Sequence, residues 1–356
     1  MVLLVFVHGY NLEIRYLQPW TITGEPLTLT GFTEYFLANG IFRFRIPMLF
    51  IISGFLFAMY DHRPYKQRAG KRFRTLFIPY LLWSALGLAL TYCFELFSFG
   101  REIVADSGVV MIDDKRLLLH DYHWYELLGR WIILPVPYQL WFIRVLFIYN
   151  LAYPAIRWLV TNRVARFIFF PIAILLWLGT TGFIFVEGEG LLFFSLGIWM
   201  QKTGFNIESP HQALRPLWWG ITFIVLATLK TIIAFQGEAI LGNAIYPVLT
   251  LLHKMVVLSG LITCWYGLDP LVKWCMKRHW FIWLSAFSFM IYAMHTPPVA
   301  YAINGSLKFL SHLPYSQMTA FFLLPVVVIV ICIGTGAGLR KLTPRIYSIL
   351  TGGRGL

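Results

Sequence analysis

Charge is scarce in this chain. Only 13% of its 356 residues are Asp, Glu, Lys or Arg, while 58% are hydrophobic and the mean hydropathy is +0.69. So much apolar surface exceeds what one water-soluble core can hide, which excludes an ordinary soluble globule. Cysteine is nearly absent as well. Cys93, Cys264, Cys275 and Cys332 show no metal-type pairing and lie in or beside apolar runs, so buried thiols are expected instead of disulfides or a zinc site. Neither a phosphate-binding loop nor a nucleophile elbow is present, because Gly70-Lys71-Arg72 lacks the upstream glycine and the Ser/Thr, and Ser53-Gly54 lacks the first glycine. No internal repeat and no soluble domain after the last apolar run are evident.

What the chain does have is long apolar runs. Ten are candidates to cross hydrocarbon, which takes about 20 helical residues: 1–10, 46–60, 76–99, 139–160, 167–186, 191–200, 217–235, 245–268, 280–303 and 319–339. The runs are continuous and do not alternate, so helices are expected and a barrel is not. The fold class is therefore all-α, a polytopic membrane helical bundle of about ten transmembrane helices, the first too short as it stands. Residues 1–356 are expected to form a single integral-membrane domain.

Lys and Arg set orientation, because basic loops resist translocation. With the basic hairpin at 61–75 placed inside, the inner connections hold 18 basic residues and the outer ones 6, Arg15, Arg101, Lys115, Arg116, Arg130 and Lys308. The outer connections also hold 12 of the 16 acids. Both termini are thus expected to be cytoplasmic, and the net charge of +13 is a topology signal that needs no nucleic acid.

Five basic residues escape this sorting, namely Arg43, Arg45, Arg144, Lys230 and Lys254, all in or beside expected spans. An ionisable group there is costly and usually faces a cavity, a partner or a ligand. Arg43, Arg45, Arg144 and Lys230 fall in the outer half, as do His295 and the Glu187-Gly188-Glu189-Gly190 turn, which suggests a polar outward-facing cavity. Lys254 with His253 is expected to make an interhelical contact. His8 stands near the outer end of the first run, and its side chain titrates close enough to neutrality to serve as a general base. His120 and His123, with Asp113 and Asp114 nearby, are expected to belong to a solvated loop and not to a metal site. That connection, 100–134, is the longest, and it is expected to lie along the membrane surface or dip into it.

In this order and spacing the residues resemble the integral-membrane acyltransferase 3 family, over nearly the whole length. The landmarks are His8 in the first span, Pro47, Phe50, Ser53 and Gly54, and the basic hairpin running into Pro79 and Tyr80. Further on come Leu140-Trp141-Phe142, Phe193-Phe194 with Gly197, Ser288-Phe289 with Ile291, Tyr292 and His295, then Thr343-Pro344 and Gly352-Gly353-Arg354. First helices of this kind usually begin with an arginine about three turns before the histidine. That position would fall ahead of Met1, so the first helix is expected to be truncated.

The resemblance implies an O-acyltransferase that uses acyl-CoA, with acetyl the default group, as a co-substrate, and that holds no bound cofactor or metal. It implies a hydroxyl acceptor on a carbohydrate or glycolipid of the bacterial cell envelope, glycan-assembly proteins as partners, and residence in the cytoplasmic membrane among its lipids. The implied catalytic residues are His8 as general base, with Arg45, Arg144 and His295. Arg68, Lys71, Arg72 and Arg74 would bind the phosphates of acyl-CoA. Arg43, Glu187, Glu189 and Trp141 would meet the acceptor. A secondary transporter or exporter of a small polar or acylated substrate is the alternative, although such folds tend to show two related halves.

Overall fold

Helices begin in this chain where a side chain or a proline takes care of the first unbonded amides. In the computed structural model, which describes residues 1–10, 17–112, 116–209 and 211–355, Thr28 Oγ1 accepts from the Gly31 amide at 3.0 Å. Asn162 Oδ1 accepts from Ala165 at 3.0 Å in the same way. Pro154, Pro216, Pro298 and Pro344 occupy first-turn positions of their helices, where no amide proton is missed. Arg15, Asp113, Asp114 and Lys115 lie outside the described residues.

The expected fold class holds, since the described residues form helices and no strand. Five helices are long and apolar enough to cross a membrane: Leu29–Met59, Tyr65–Phe94, Pro216–Gln236, Glu238–Gly267 and Ser316–Leu342. Tyr138–Leu151 and Tyr153–Thr161 make a sixth if counted together, bent by 67°. Other expected spans fall on shorter helices, including Val2–His8, Arg163–Leu178, Gly188–Thr203, Ser288–Met294 and Pro298–Leu310. The runs at 46–60 and 76–99 are instead the later parts of helices that start well before them.

The chain divides into two compact units. One comprises Met1–Asn11, Gly70–Phe147 and Trp280–Leu356. Here the Val2–His8 helix packs on the Ser316–Leu342 helix, with Val5, Ile291, Val299, Leu324, Val328 and Cys332 in a shared core. A Cβ at Gly9 would come within 2.9 Å of Pro325, so the first helix can approach only with glycine there. The long connection after residue 97 is itself folded, around Val104, Val109, Val110, Leu119, Tyr122 and Val136. Glu95, fully buried, pins it by accepting from the amides of Leu119 and His120 at 2.9 and 3.1 Å and pairing with His120 Nδ1 at 2.7 Å. The chain's last turn closes over Thr75, whose carbonyl accepts from Arg354 Nη1 at 2.9 Å. Gly352 takes φ +61°, and any Cβ there would sit 2.5 Å from that carbonyl.

The second unit comprises Leu12–Ala69 and Ile148–His279. Its tightest crossing joins the Arg45–Met59 and Gly188–Thr203 helices. A Cβ on Gly54 would lie 2.1 Å from the Phe194 carbonyl, and one on Gly197 2.1 Å from that of Ile51. Glycine on both sides lets the backbones touch, and in a membrane such close van der Waals packing does much of what water does for a soluble core. A wider π turn, Phe36–Ile41, precedes the Arg45–Met59 helix and sets the direction in which Arg43 and Arg45 leave it. Lys230 Nζ donates to the Asn39 carbonyl within that turn at 2.7 Å.

All four cysteines are free. Cys332 is buried as expected, whereas Cys93 is exposed on its helix, since an apolar run in a membrane protein has an outer face as well as a packed one.

Candidate functional site

Two polar clusters stand out, one in each unit. The first gathers around His8. Tyr138 Oη lies 2.9 Å from His8 Nδ1, and the His8 and His295 rings are 5.4 Å apart, centre to centre, at 30°. His295 is fully buried, and its Nδ1 faces the carbonyls of Ile291 and Tyr292 at 2.8 and 3.0 Å. Carbonyls only accept, so Nδ1 carries the proton and a neutral His295 keeps its lone pair on Nε2. Gln139 holds the end of the same short helix, with Nε2 donating to the Tyr292 and Ala293 carbonyls at 3.3 and 3.0 Å. Tyr292 Oη donates back to the Gln139 carbonyl at 2.6 Å.

One turn further on is Arg144. Its Nε and Nη1 are buried with no hydrogen-bond partner among the described residues. Thr296 Oγ1 and Gln139 Oε1 are in the same position. Buried donors and acceptors left open in this way are costly, and their presence in the unit that holds the two histidines is what a polar ligand would complete.

The second cluster is made of charges. Glu187 caps the Gly188–Thr203 helix, its carboxylate accepting from the amides of Glu189 and Gly190 at 3.2 and 2.6 Å. Tyr149 Oη donates to the Glu187 carbonyl at 2.7 Å. Glu189 accepts from Trp177 Nε1 at 3.2 Å and lies within electrostatic range of Lys254, Arg43 and Arg45. Lys254 sits over the Trp177 ring at 5.1 Å. Arg43 donates to the Leu17 carbonyl and Arg45 to that of Phe42. Lys230, fully buried, pairs with His253 Nδ1 at 3.1 Å, so the interhelical contact expected of His253 is made with Lys230.

A third group lies where the Arg45–Met59 helix ends. Asp61 receives Arg68 and Arg157 at 2.9 Å each and Lys202 at 2.5 Å, and Tyr153 Oη at 2.8 Å. Burial alone would raise the Asp61 carboxyl, but the bonds from Lys202 and Tyr153 and the charges of Lys202 and Arg157 outweigh it and hold the group below the usual carboxylate range. Arg68 also stacks on Phe57 and Tyr153 at 4.8 and 4.9 Å.

The Acyltransferase domain family model matches residues 1–337. The chain belongs to the acyltransferase 3 family. It is also 25% identical to the succinoglycan biosynthesis protein ExoH of Rhizobium meliloti (strain 1021), over 99% of this chain and 89% of that protein. No solved structure matches it. With its apolar helices, the chain is thus an integral membrane acyltransferase.

Among the residues singled out from sequence, this acyltransferase brings His8 and His295 together, and separately gathers Arg43, Arg45, Glu187 and Glu189. Arg144 shares the first unit with the histidines. Trp141, edge-on to Phe142 at 6.3 Å, starts the helix that carries Arg144. Of the four basic residues expected to bind phosphate, Arg68 is engaged by Asp61. Lys71 and Arg74 are exposed and Arg72 is half-buried. Tyr138, Gln139 and Asp61 were missed. The first two immediately precede the Leu140-Trp141-Phe142 landmark, and their adjacency to it was the available signal. The expected solvated loop at 120–123 is partly tied down, because His120 is held by Glu95 and stacked on Tyr92 at 4.0 Å.

Proposed function

We propose that this acyltransferase moves an acyl group from cytoplasmic acyl-CoA to a hydroxyl of a carbohydrate or glycolipid, with His8 as general base. The observation that carries this is the Tyr138–His8 contact beside His295. For His8 to take a proton at Nε2, its Nδ1 must hold one and donate it to Tyr138 Oη, and the 2.9 Å separation suits that bond. The acceptor hydroxyl gives its proton to Nε2 as its oxygen attacks the thioester carbonyl. The tetrahedral oxyanion collapses, the C–S bond breaks, and the departing thiolate takes the proton from His8. An ester and a CoA thiol result, and His8 returns to its starting state.

Arg144 has two open donors for the oxyanion, and His295 supports the His8 ring through its own fixed Nδ1. Lys71, Arg72 and Arg74 meet the donor's phosphates, while Arg68 serves the hairpin by its bond to Asp61. Arg43, Arg45, Glu187 and Glu189, with Trp141, recognise the polar acceptor. A glycan is favoured because ExoH carries succinoglycan biosynthesis in its name, and either an acetyl or a succinyl donor fits. The whole chain is read as one acyltransferase domain of the cytoplasmic membrane, both termini inside, working beside glycan-assembly proteins.

The test is thiol release from acetyl-CoA and succinyl-CoA by purified protein in lipid discs, with a polysaccharide acceptor. His8→Ala should lower turnover by about 10² to 10⁴ fold while melting like the parent. Near-normal acylation by that variant would remove His8 from the mechanism.

A further inference from the structure

The histidine cluster has an apolar neighbour that acyl transfer from CoA to a sugar does not use. A cavity of about 540 Å³ lies in the same unit, walled by Trp83, Gly87, Thr91, Met294, Pro297 and Tyr301 among others. That volume falls within the range of small-molecule sites. No charged side chain lines it. Its two hydroxyls, Thr91 Oγ1 and Tyr301 Oη, are 2.9 Å apart and bond to each other, so the walls offer a ligand little but hydrocarbon. A CoA phosphate or a sugar placed there would give up its hydration for nothing.

Position narrows the occupant further. Met294 and Pro297 bracket His295-Thr296, and Pro137, also in the wall, is covalently next to Tyr138. A Cβ on Gly87 would lie 2.2 Å from Pro137, so this wall is locked against the segment that contacts His8. The cavity is also lined by Leu86 and Leu90, which are 40% and 68% exposed on an apolar helix long enough to cross a membrane. The cavity is therefore shared by exposed residues of an apolar helix and by the sequence neighbours of His295 and of Tyr138.

We infer that this cavity is a hydrocarbon-chain site, holding an alkyl or isoprenyl chain that belongs to one of the two substrates and anchors it with its reacting end at the histidines. The inference rests on the acyl-transfer reading for which substrate carries the chain, but not for the binding itself. For a chain that arrives from water, each methylene buried there should tighten binding by up to about 4-fold.

The probe is a diazirine-bearing decanoic acid, photolysed with the full chain in lipid discs, with adducts located by mass spectrometry. Adducts are expected on the segments lining the cavity, 83–94 and 293–302, as well as on Val330 and Ile331, which are exposed on another apolar helix. Ala302→Trp, which fills the cavity, should abolish the first set and leave the second. Leu90→Trp, at the exposed side, is the alternative should the first variant fail to fold. Decanoyl-CoA and dodecyl glucoside compete in separate arms. Displacement by the former alone assigns the chain to the donor, and by the latter alone to the acceptor, while acetyl-CoA and methyl glucoside should displace neither. Equal labelling of both sets in the filled variants, or no better competition from chain-bearing compounds than from added phospholipid, overturns the inference and leaves a bystander lipid. Displaceable labelling without any acyl transfer would keep the site and sink the acyltransfer mechanism instead.

Discussion

The two polar clusters of this protein are built from opposite materials. Around His8 the described groups are hydroxyl, amide and imidazole, with Arg144 in the same unit. Around Glu189 they are two carboxylates and several cations, within electrostatic range of one another, with the cations bonded to main-chain carbonyls or set over ring faces. Neutral groups can be buried with open valences for about 1–3 kcal/mol each, so a site can hold them ready for a ligand. Charges cannot wait in that way, because each must be offset within the fold. The first cluster thus agrees with the chemistry proposed for it, and the second with holding shape and with the acceptor recognition proposed for it.

The comparison breaks most visibly if loss of the base leaves turnover intact, which is why His8→Ala carries the largest expected effect. Next comes Lys230→Met, which leaves the Asn39 carbonyl and His253 without their buried donor. A loss of about 1–3 kcal/mol is expected in a denaturation series in detergent. An unchanged melt would mean that the charged cluster does not depend on its internal bonds. Tyr138→Phe should do the reverse, keeping the melt within about 1 kcal/mol while kcat falls about 3- to 10-fold with little change in KM, as expected for a positioning residue worth one hydrogen bond. A KM effect alone would make Tyr138 a substrate contact.

Arg72→Gln with Arg74→Gln asks whether the neutral unit also contains a charged recognition surface. The KM for acyl-CoA should rise about 2- to 5-fold, more than that for the acceptor, in keeping with exposed ionic contacts. Equal rises would assign the pair to topology and lipid.

The smallest effect concerns Asp61. Its carboxyl is held below its ordinary value of about 3.9, so the stability it contributes is complete above that value and is lost as pH falls through the depressed one. Acid titration below about pH 4 should therefore lower the melting temperature of the parent more than that of Asp61→Asn. Parallel curves would show that the three cations do not depend on that charge.

Much of the fold was legible because hydrocarbon imposes a simple rule of length and apolarity, one that composition alone obeys. The rule reads runs and not contacts, so it missed that 46–60 continues a helix through a π turn, and that the connection after residue 97 has its own core. At the site, His8 and His295 were legible as polar groups in apolar runs. Tyr138 and Gln139 were not, because a tyrosine and a glutamine beside an aromatic run look like an interfacial anchor. Gly54 and Gly197 appeared as landmarks, and only the helix crossing gives the reason, a carbonyl 2.1 Å from where each Cβ would be. The basic hairpin read as one cluster, yet Arg68 is bound to an acid that charge counting treated as a bystander.

The layout of the histidine unit has a consequence for when the protein becomes competent. Its first helix packs on one that begins at Ser316, and His8 meets a partner at position 295. The chain must therefore be made past residue 316 before the first helix is packed, and the turn over Thr75 closes only once Arg354 has followed. Contacts so distant in sequence form slowly and last. A product stalled before residue 295 would hold His8 without the ring that stacks on it, and a first helix without the partner it packs on.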